Sequence, residues 1–301
     1  MGLRIENAID LHCHFGPDTI GQTGGRAPRR PTTAELALHG HSVTGYEAAQ
    51  EAFESGHRAI VLKSHSFCSA QLAENLCQAI PGMAVFGGTC TDYASGGLSV
   101  ALVESALLLG SRIVWLPTVN SCQDHAHAPE RFPDRPGIPV IGDDGEPLPM
   151  VRDIAALCRD FDAVLATGHT SAAEHHAVVK AFARKGKVLV THAGEALAGP
   201  NLSPAQAKEL ADLGATIELT AECCVQVFNR PPKSARTMAE TIATIGYERC
   251  TLSSDYGWSK VVPRPAPGFK EFLERMWEVG VSEAQLTRMA AANPAALLSL
   301  E

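Results

Sequence analysis

The sequence predicts an α/β fold of the (β/α)8 TIM-barrel type, one domain over residues 1–301, with long loops after strands 1 and 4 and an extra C-terminal helix. Three observations predict it. Eight short Val/Ile/Leu-rich runs, each about as long as a buried parallel strand, alternate with eight stretches of helical spacing. Glycine often closes those stretches, as in ESG, LLG, RKG and DLG, where a helix stop takes left-handed backbone. A doubly wound sheet would show the same alternation, but no GxGxxG follows the first run.

In chain order, the strand runs are 8–13, 57–63, 83–88, 111–116, 161–167, 187–192, 215–220 and 249–254. The helical patterns are 43–55, 68–79, 97–109, 150–159, 172–185, 203–213, 234–245 and 268–279. Ser203-Pro204 has the form of an N-cap followed by a proline at the first helical position. Two loops break the rhythm: 15–42, rich in Gly, Pro and Arg, and 117–149, rich in Pro, Asp and His. Loops of that length inside a compact domain are usually functional, and after barrel strands they lie at the C-terminal mouth. Residues 282–300 read as one more helical segment, interrupted at Asn293-Pro294.

Composition narrows the function classes. Hydrophobic residues make up 45% and charged ones 19%, enough apolar content for a sizeable core. The net charge is −8 and no Lys/Arg block stands out, so no nucleic-acid partner is expected. No apolar run approaches the roughly 18 residues of a membrane span, and the N-terminus lacks the apolar stretch of a secretory signal, so no membrane partner is expected. Nine cysteines, scattered without a CxxC, read as reduced thiols in a cytoplasmic protein, mostly buried as small hydrophobes. The expected partner is a small-molecule substrate. A homo-oligomer is compatible with a barrel enzyme, although the sequence marks no interface.

The chemistry gathers at strand ends. Strand 1 ends in His12-Cys13-His14, strand 2 in Lys63-Ser64-His65, strand 5 before His169, strand 6 in His192 and strand 8 before Asp255. Side chains two apart on a strand share a direction, so His12 and His14 point together. One such histidine is more often structural than functional. Five strand ends that each bring a metal-competent residue to one rim form a candidate site. Imidazoles with a carboxylate suit zinc, or another divalent ion such as manganese, iron or nickel.

In the order and position of these motifs the chain resembles the amidohydrolase superfamily of metal-dependent hydrolases: HxH after strand 1, His after strands 5 and 6, Asp after strand 8. Asn293-Pro294-Ala295 is similar to that family's terminal helix. The resemblance spans the barrel plan, and its specific content is these motifs. It implies that His12 and His14 hold a first divalent ion. It implies that His169 and His192 hold a second, or that His192 contacts the attacking water or the substrate carbonyl. Asp255 would be a ligand and the general base toward a metal-activated water.

The departure is at strand 4, IVWLPTVNS, which has neither the lysine nor the glutamate that bridges two ions in many members. Either the site holds one ion, or a bridge comes from elsewhere. Lys63 is the candidate, as a carboxylated lysine; the plainer reading has it bind an anionic substrate or pair with an acid. His65, next in the same direction, is a ligand or a substrate contact.

Weaker candidates surround this set. Asp18 and Glu195 are placed to line the pocket, and Arg26, with Arg29 and Arg30, to meet an anionic substrate. Asp92 and Glu222 follow strands 3 and 7. His125 and His127 sit in the 117–149 loop as a solvated segment or lid, and His175-His176 read as helix surface. The chain's length leaves no room for the β-sandwich of hydantoinase-like members. The plan looks more like the phosphotriesterase, lactonase, TatD-type nuclease and decarboxylase branches. The expected activity is hydrolysis of an ester, lactone, amide or phosphoester of a small molecule. The alternative within the superfamily is non-oxidative decarboxylation of a small carboxylic acid, and outside enzymes a non-catalytic metal- or ligand-binding barrel. The polymerase-and-histidinol-phosphatase barrel also opens with HxH but closes with Asp-x-His, where this chain has Asp255-Tyr256-Gly257.

Overall fold

Eight parallel strands pair in chain order in the computed structural model, which describes residues 3, 5–18, 40–129, 135–227 and 229–301. They are β1 (Ile9–His14), β2 (Ala59–Lys63), β3 (Ala84–Cys90), β4 (Ile113–Trp115), β5 (Val164–Ala166), β6 (Lys187–Val190), β7 (Thr216–Thr220) and β8 (Cys250–Ser253). The ring closes just beyond β8, where Asp255 N donates to His12 O (2.9 Å) and His14 N to Tyr256 O (2.9 Å). Gly257 permits this approach: its φ is +103°, and a Cβ there would lie 1.9 Å from His14 O. The expected (β/α)8 barrel is therefore the fold.

The helices on the outside are α1 (Gly45–Glu54), α2 (Ala70–Ala79), α3 (Val100–Leu108), α4 (Cys122–His127), α5 (Pro149–Asp160), α6 (Ala172–Phe182), α7 (Pro204–Asp212), α8 (Ala235–Ile245) and α9 (Pro265–Glu278). Local chemistry starts several of them. Thr44 with Glu47, Ser171 with Glu174 and Ser203 with Gln206 form reciprocal capping boxes, the last with Pro204 in the first turn as expected. No helix among the described residues is long and apolar enough to cross a membrane.

Inside the barrel, Ile9, Leu11, Ala59, Val61, Ile113, Trp115, Val164, Ala166 and Leu189 fill the lower layers. Leu297 of α11 (Asn293–Leu297) and Leu298 just after it join them, so the C-terminal segment caps the base. That segment differs from expectation. It is not broken at Asn293-Pro294; a π-helical stretch, Arg288–Ala292, links α10 (Glu283–Thr287) to α11. The wider turn accommodates the missing proline N–H, and Asn293 Nδ2 donates to Tyr247 O (2.9 Å) and Cys250 O (2.6 Å).

β1 carries one irregularity. Asp10 pairs with Ile60 but Cys13 with Leu62, so β1 holds one more residue than β2 over that interval. Such a bulge re-aims the side chains beyond it. Ile9 and Leu11 pack in the barrel interior, and after the bulge His12 and His14 face the mouth. Asp10 Oδ1 takes His12 N (3.1 Å) and Ser254 N (3.0 Å), bonding backbone donors that the regular ladder would otherwise serve.

The described residues of the 117–149 segment, 117–129 and 135–149, are not a plain loop. They contain α4 and short bridges Ser121–Ile138 and Ile141–Pro147. On α6, His176 is exposed as expected, but His175 is fully buried, a correction to its surface reading. Its Nδ1 meets Thr170 Oγ1 (2.9 Å), Nε2 has no partner among the described residues, and burial pushes its pKa down to about 3. The unfolded chain thus binds a proton between about pH 6.5 and 3 that the fold excludes. The stability this gives is complete above about pH 6.5 and is lost as pH falls toward 3. Denaturant unfolding across this window should show a shallower acid loss for His175→Leu, by up to about 1.4 kcal/mol per pH unit; an unchanged slope would contradict the assignment.

Candidate functional site

Five histidines close a ring at the barrel mouth. Ring centroids are 5.1 Å apart for His12–His14, 5.0 Å for His14–His65, 5.7 Å for His65–His169, 4.8 Å for His169–His192 and 5.8 Å for His192–His12. All five are buried. The strands that deliver them are the ones read from the sequence: β1 twice, then the ends of β2, β5 and β6. Asp255 enters from the end of β8, its Oδ1 3.1 Å from His12 Nε2 and 3.2 Å from His14 Nε2. Lys63 Nζ lies 2.9 Å from the same His12 Nε2, fully buried and 5.5 Å from the Trp115 ring.

His192 and Asp255 both take left-handed backbone, φ +28° and +56°. That conformation is unfavourable for residues with a Cβ and gathers at sites where position matters more than strain. Gly199 packs against His192, and a Cβ there would come within 2.7 Å of His192 Nδ1.

Carboxylates stand behind three of the imidazoles. Glu218, in the middle of β7, meets His12 Nδ1 at 3.2 Å and also accepts from His192 N (3.0 Å) and Ser253 Oγ (2.6 Å). Asp124, on α4, meets His169 Nδ1 at 3.3 Å. Asp92, after β3, reaches His65 through Thr118: His65 Nδ1 is 2.6 Å from Thr118 Oγ1, whose hydroxyl bonds Asp92. An imidazole tied at Nδ1 to a carboxylate is fixed in tautomer and orientation, and its Nε2 is left to bind.

The electrostatics follow from burial and these charges. Burial opposes a charged His12, but Asp255 and Glu218 outweigh it and the Lys63 charge, pushing its pKa up to about 9. Burial raises Asp255, yet His12 and His14 hold its carboxyl well below the usual range. Burial lowers His14 and His169 well below the ordinary imidazole value, reinforced by Lys63 and neighbouring histidines. His192 is pulled down to about 4 by burial, against Asp255.

His12 Nε2, His14 Nε2 and Asp255 Oδ1 form a buried group compact enough for one metal ion. The donor set fits such an ion. With Nδ1 of His12 donating to Glu218, its Nε2 lone pair faces Asp255 Oδ1 and is met by Lys63 Nζ at 2.9 Å, a place that a bound cation would take. Nδ1 of His14 and of His192 are buried without a hydrogen bond among the described residues. A second compact group, His65, Cys90 and Asp92, already holds the Thr118 hydroxyl between His65 and Asp92.

Other sequence candidates take other places. Asp18 accepts from Ser64 Oγ (2.8 Å), His65 N (2.9 Å) and Ser66 Oγ, and so holds the turn after β2. Glu195 bonds Arg230 and the backbone N–H groups of Leu197 (2.6 Å), Ala198 and Gly199 (2.9 Å), which ties the loop after β6. Glu222 chelates the same Arg230 (2.8 Å to each terminal nitrogen), while burial and the Asp255 charge push its pKa up to about 8. Arg26, with Arg29 and Arg30, lies outside the described residues. His127 Nδ1 meets Leu197 O (3.0 Å), so α4 rests on the β6 loop.

Glu218, Asp124, Thr118 and Asp10 belong to no motif. Glu218 had one available signal, a charged residue inside an apolar run, ATIELT, that is buried on both faces. Asp124 lies in a loop whose path the sequence does not set.

A family described as "Family of unknown function (DUF6282)" matches residues 7–218. No curated protein sequence matches the chain. Solved structures of similar shape include an amidohydrolase from Pseudomonas aeruginosa (11% identity, 97% of this chain and 95% of that one, TM-score 0.61). They include 2,6-dihydroxybenzoate decarboxylase from Rhizobium (11%, 98% and 99%, 0.61) and an organophosphorus hydrolase from Deinococcus radiodurans (16%, 97% and 92%, 0.64). These are amidohydrolase-superfamily barrels, and at such identities the likeness is one of fold.

Glu218→Gln should keep the fold and weaken zinc binding by about 10- to 100-fold in competition with a chromogenic chelator. Wild-type affinity in this variant would remove Glu218 from the site.

Proposed function

The chain belongs to the DUF6282 family of unknown function, and we propose that it is a metal-dependent hydrolase of small molecules carrying an ester, lactone, amide or phosphoester. The observation that carries this reading is the meeting of His12 Nε2, His14 Nε2 and Asp255 Oδ1 within 3.1–3.2 Å contacts at a buried barrel mouth. These three would hold a divalent cation, zinc first by its ligand types. His169 and His192 would hold a second or, for His192, face the scissile group. Bound there, a cation supplies Lewis-acid activation of a water and of the carbonyl or phosphoryl under attack.

The chain's own residues do the rest. Asp255 is both ligand and general base: it takes the proton released as the water attacks. It then returns that proton to the leaving group. Glu218 and Asp124 keep His12 and His169 in the tautomer that presents Nε2. Lys63, at 2.9 Å from His12 Nε2, is within reach of a bridging position if its amine is carboxylated, which would replace the acid that β4 lacks. Burial of every group excludes bulk water and strengthens these interactions.

Decarboxylation of a small carboxylic acid is the second reading. It is favoured by the absence of a bridging acid on β4; in shape the chain is as similar to a decarboxylase barrel as to hydrolase barrels. In that case Asp255 and His192 would move protons at carbon.

Turnover of a panel of lactones, amides, phosphoesters and aromatic acids by the zinc-loaded protein decides between them. Asp255→Asn should lower any hydrolysis found by at least about 100-fold. A wild-type protein that takes up no divalent cation and turns over nothing in the panel would overturn the enzyme reading, and a fully active Asp255→Asn would remove Asp255 as the base.

A further inference from the structure

Hydrogen-bond directions around His65 reveal what it can recognise. Asp92 Oδ1 accepts two backbone N–H groups, from Thr118 (2.9 Å) and Asn120 (3.0 Å). Asp92 Oδ2 accepts the Thr118 hydroxyl. That hydroxyl has one hydrogen, and it is spent on Asp92. At 2.6 Å from His65 Nδ1, Thr118 Oγ1 can therefore only accept, and the proton between them belongs to His65 Nδ1. In the neutral ring, Nε2 is then a lone pair, and it has no hydrogen-bond partner among the described residues.

The ring itself is held. Asp18 fixes the His65 backbone N–H at 2.9 Å, and His14 stacks on the imidazole with planes 17° apart. His65 stands between His14 and His169, the two histidines that border the ends of the proposed cation site. His65, Thr118 and Asp92 are all buried residues, and His65 Nε2 is not among the fully buried unpaired atoms, so the lone pair stays open to a ligand.

We propose that His65 Nε2 is a fixed hydrogen-bond acceptor for substrate, selecting molecules that carry an N–H or O–H beside the group bound at the metal site, with Thr118 and Asp92 as its positioning residues. This rests on the hydrolase reading and narrows it. Primary and secondary amides, lactams and esters of 2-hydroxy acids offer such a donor; phosphotriesters and simple lactones do not. A substrate lacking the donor leaves a buried acceptor unpaired, which costs about 10- to 100-fold in binding.

Two probe pairs test this on the zinc-loaded protein by calorimetry, with cation content measured in parallel: acetohydroxamate against N-methylacetohydroxamate, and glycolate against methoxyacetate. Wild type should prefer the donor-bearing member of at least one pair by about 10- to 100-fold. His65→Leu should reduce that preference to within about twofold at unchanged cation content, which lies inside the effect of losing one hydrogen bond. Thr118→Val should lower it less than His65→Leu, because Asp92 Oδ2, 3.6 Å from His65 Nδ1, still favours the same tautomer, and Thr118→Ser should restore it. Equal binding within both pairs by a wild type that holds its zinc overturns the inference. Loss of zinc from His65→Leu also overturns it, because His65 is then a ligand. Failure of wild type to bind zinc instead defeats the hydrolase reading on which it rests.

Discussion

The site depends on one extra residue in β1. Without the bulge between Asp10 and Cys13, alternation along the strand would send His12 and His14 toward the helices once Ile9 and Leu11 were inside. The bulge disrupts the ladder locally, and Asp10 supplies an acceptor for the His12 and Ser254 amides there. Burial raises the pKa of this carboxyl, while the hydrogen bonds from Ser254 and His12 favour its charge. A strand that otherwise builds the core is thereby turned into the start of a site. The closing contacts from Asp255 and Tyr256 to β1 are made at the same residues, so barrel closure and site assembly are one event.

A second constraint is charge. Burial keeps His14, His169 and His192 neutral, as ligands of a cation must be, and acids surround the mouth. Glu218, Asp124 and Asp92 sit on the outer side of His12, His169 and His65, and Asp255 on the inner side of His12 and His14. Two of the acids have further donors, Ser253 and His192 N at Glu218 and the backbone at Asp92. The outer acids orient the rings, which leaves their Nε2 atoms to the centre. Strained backbone at His192 and Asp255 fits the same picture, since the surrounding network over-determines their positions.

The fold and the inner residues of the site were legible in the sequence because both follow from strand periodicity. Buried parallel strands read as apolar runs, and residues just past their ends share one rim, so His12, His14, His65, His169, His192 and Asp255 could be grouped before any coordinates. The supporting acids were not legible. Glu218 looks like an ordinary strand residue until its neighbours are known, and Asp124 arrives on a helix inside what reads as a Pro-rich loop. Glu195 and Asp18, which looked like pocket residues, have their carboxylates engaged in holding loops. His175 was misread because a helix face packed against the barrel can bury a histidine that helical spacing alone leaves on the surface.

The central claim is that His12, His14 and Asp255 converge because they share a cation. Anomalous diffraction from zinc-saturated crystals tests it most directly. A peak should lie bounded by His12 Nε2, His14 Nε2 and Asp255 Oδ1, each at about 2.0–2.2 Å. A zinc-saturated crystal with no peak there, in which His12 Nε2 still bonds Asp255 directly, would contradict it.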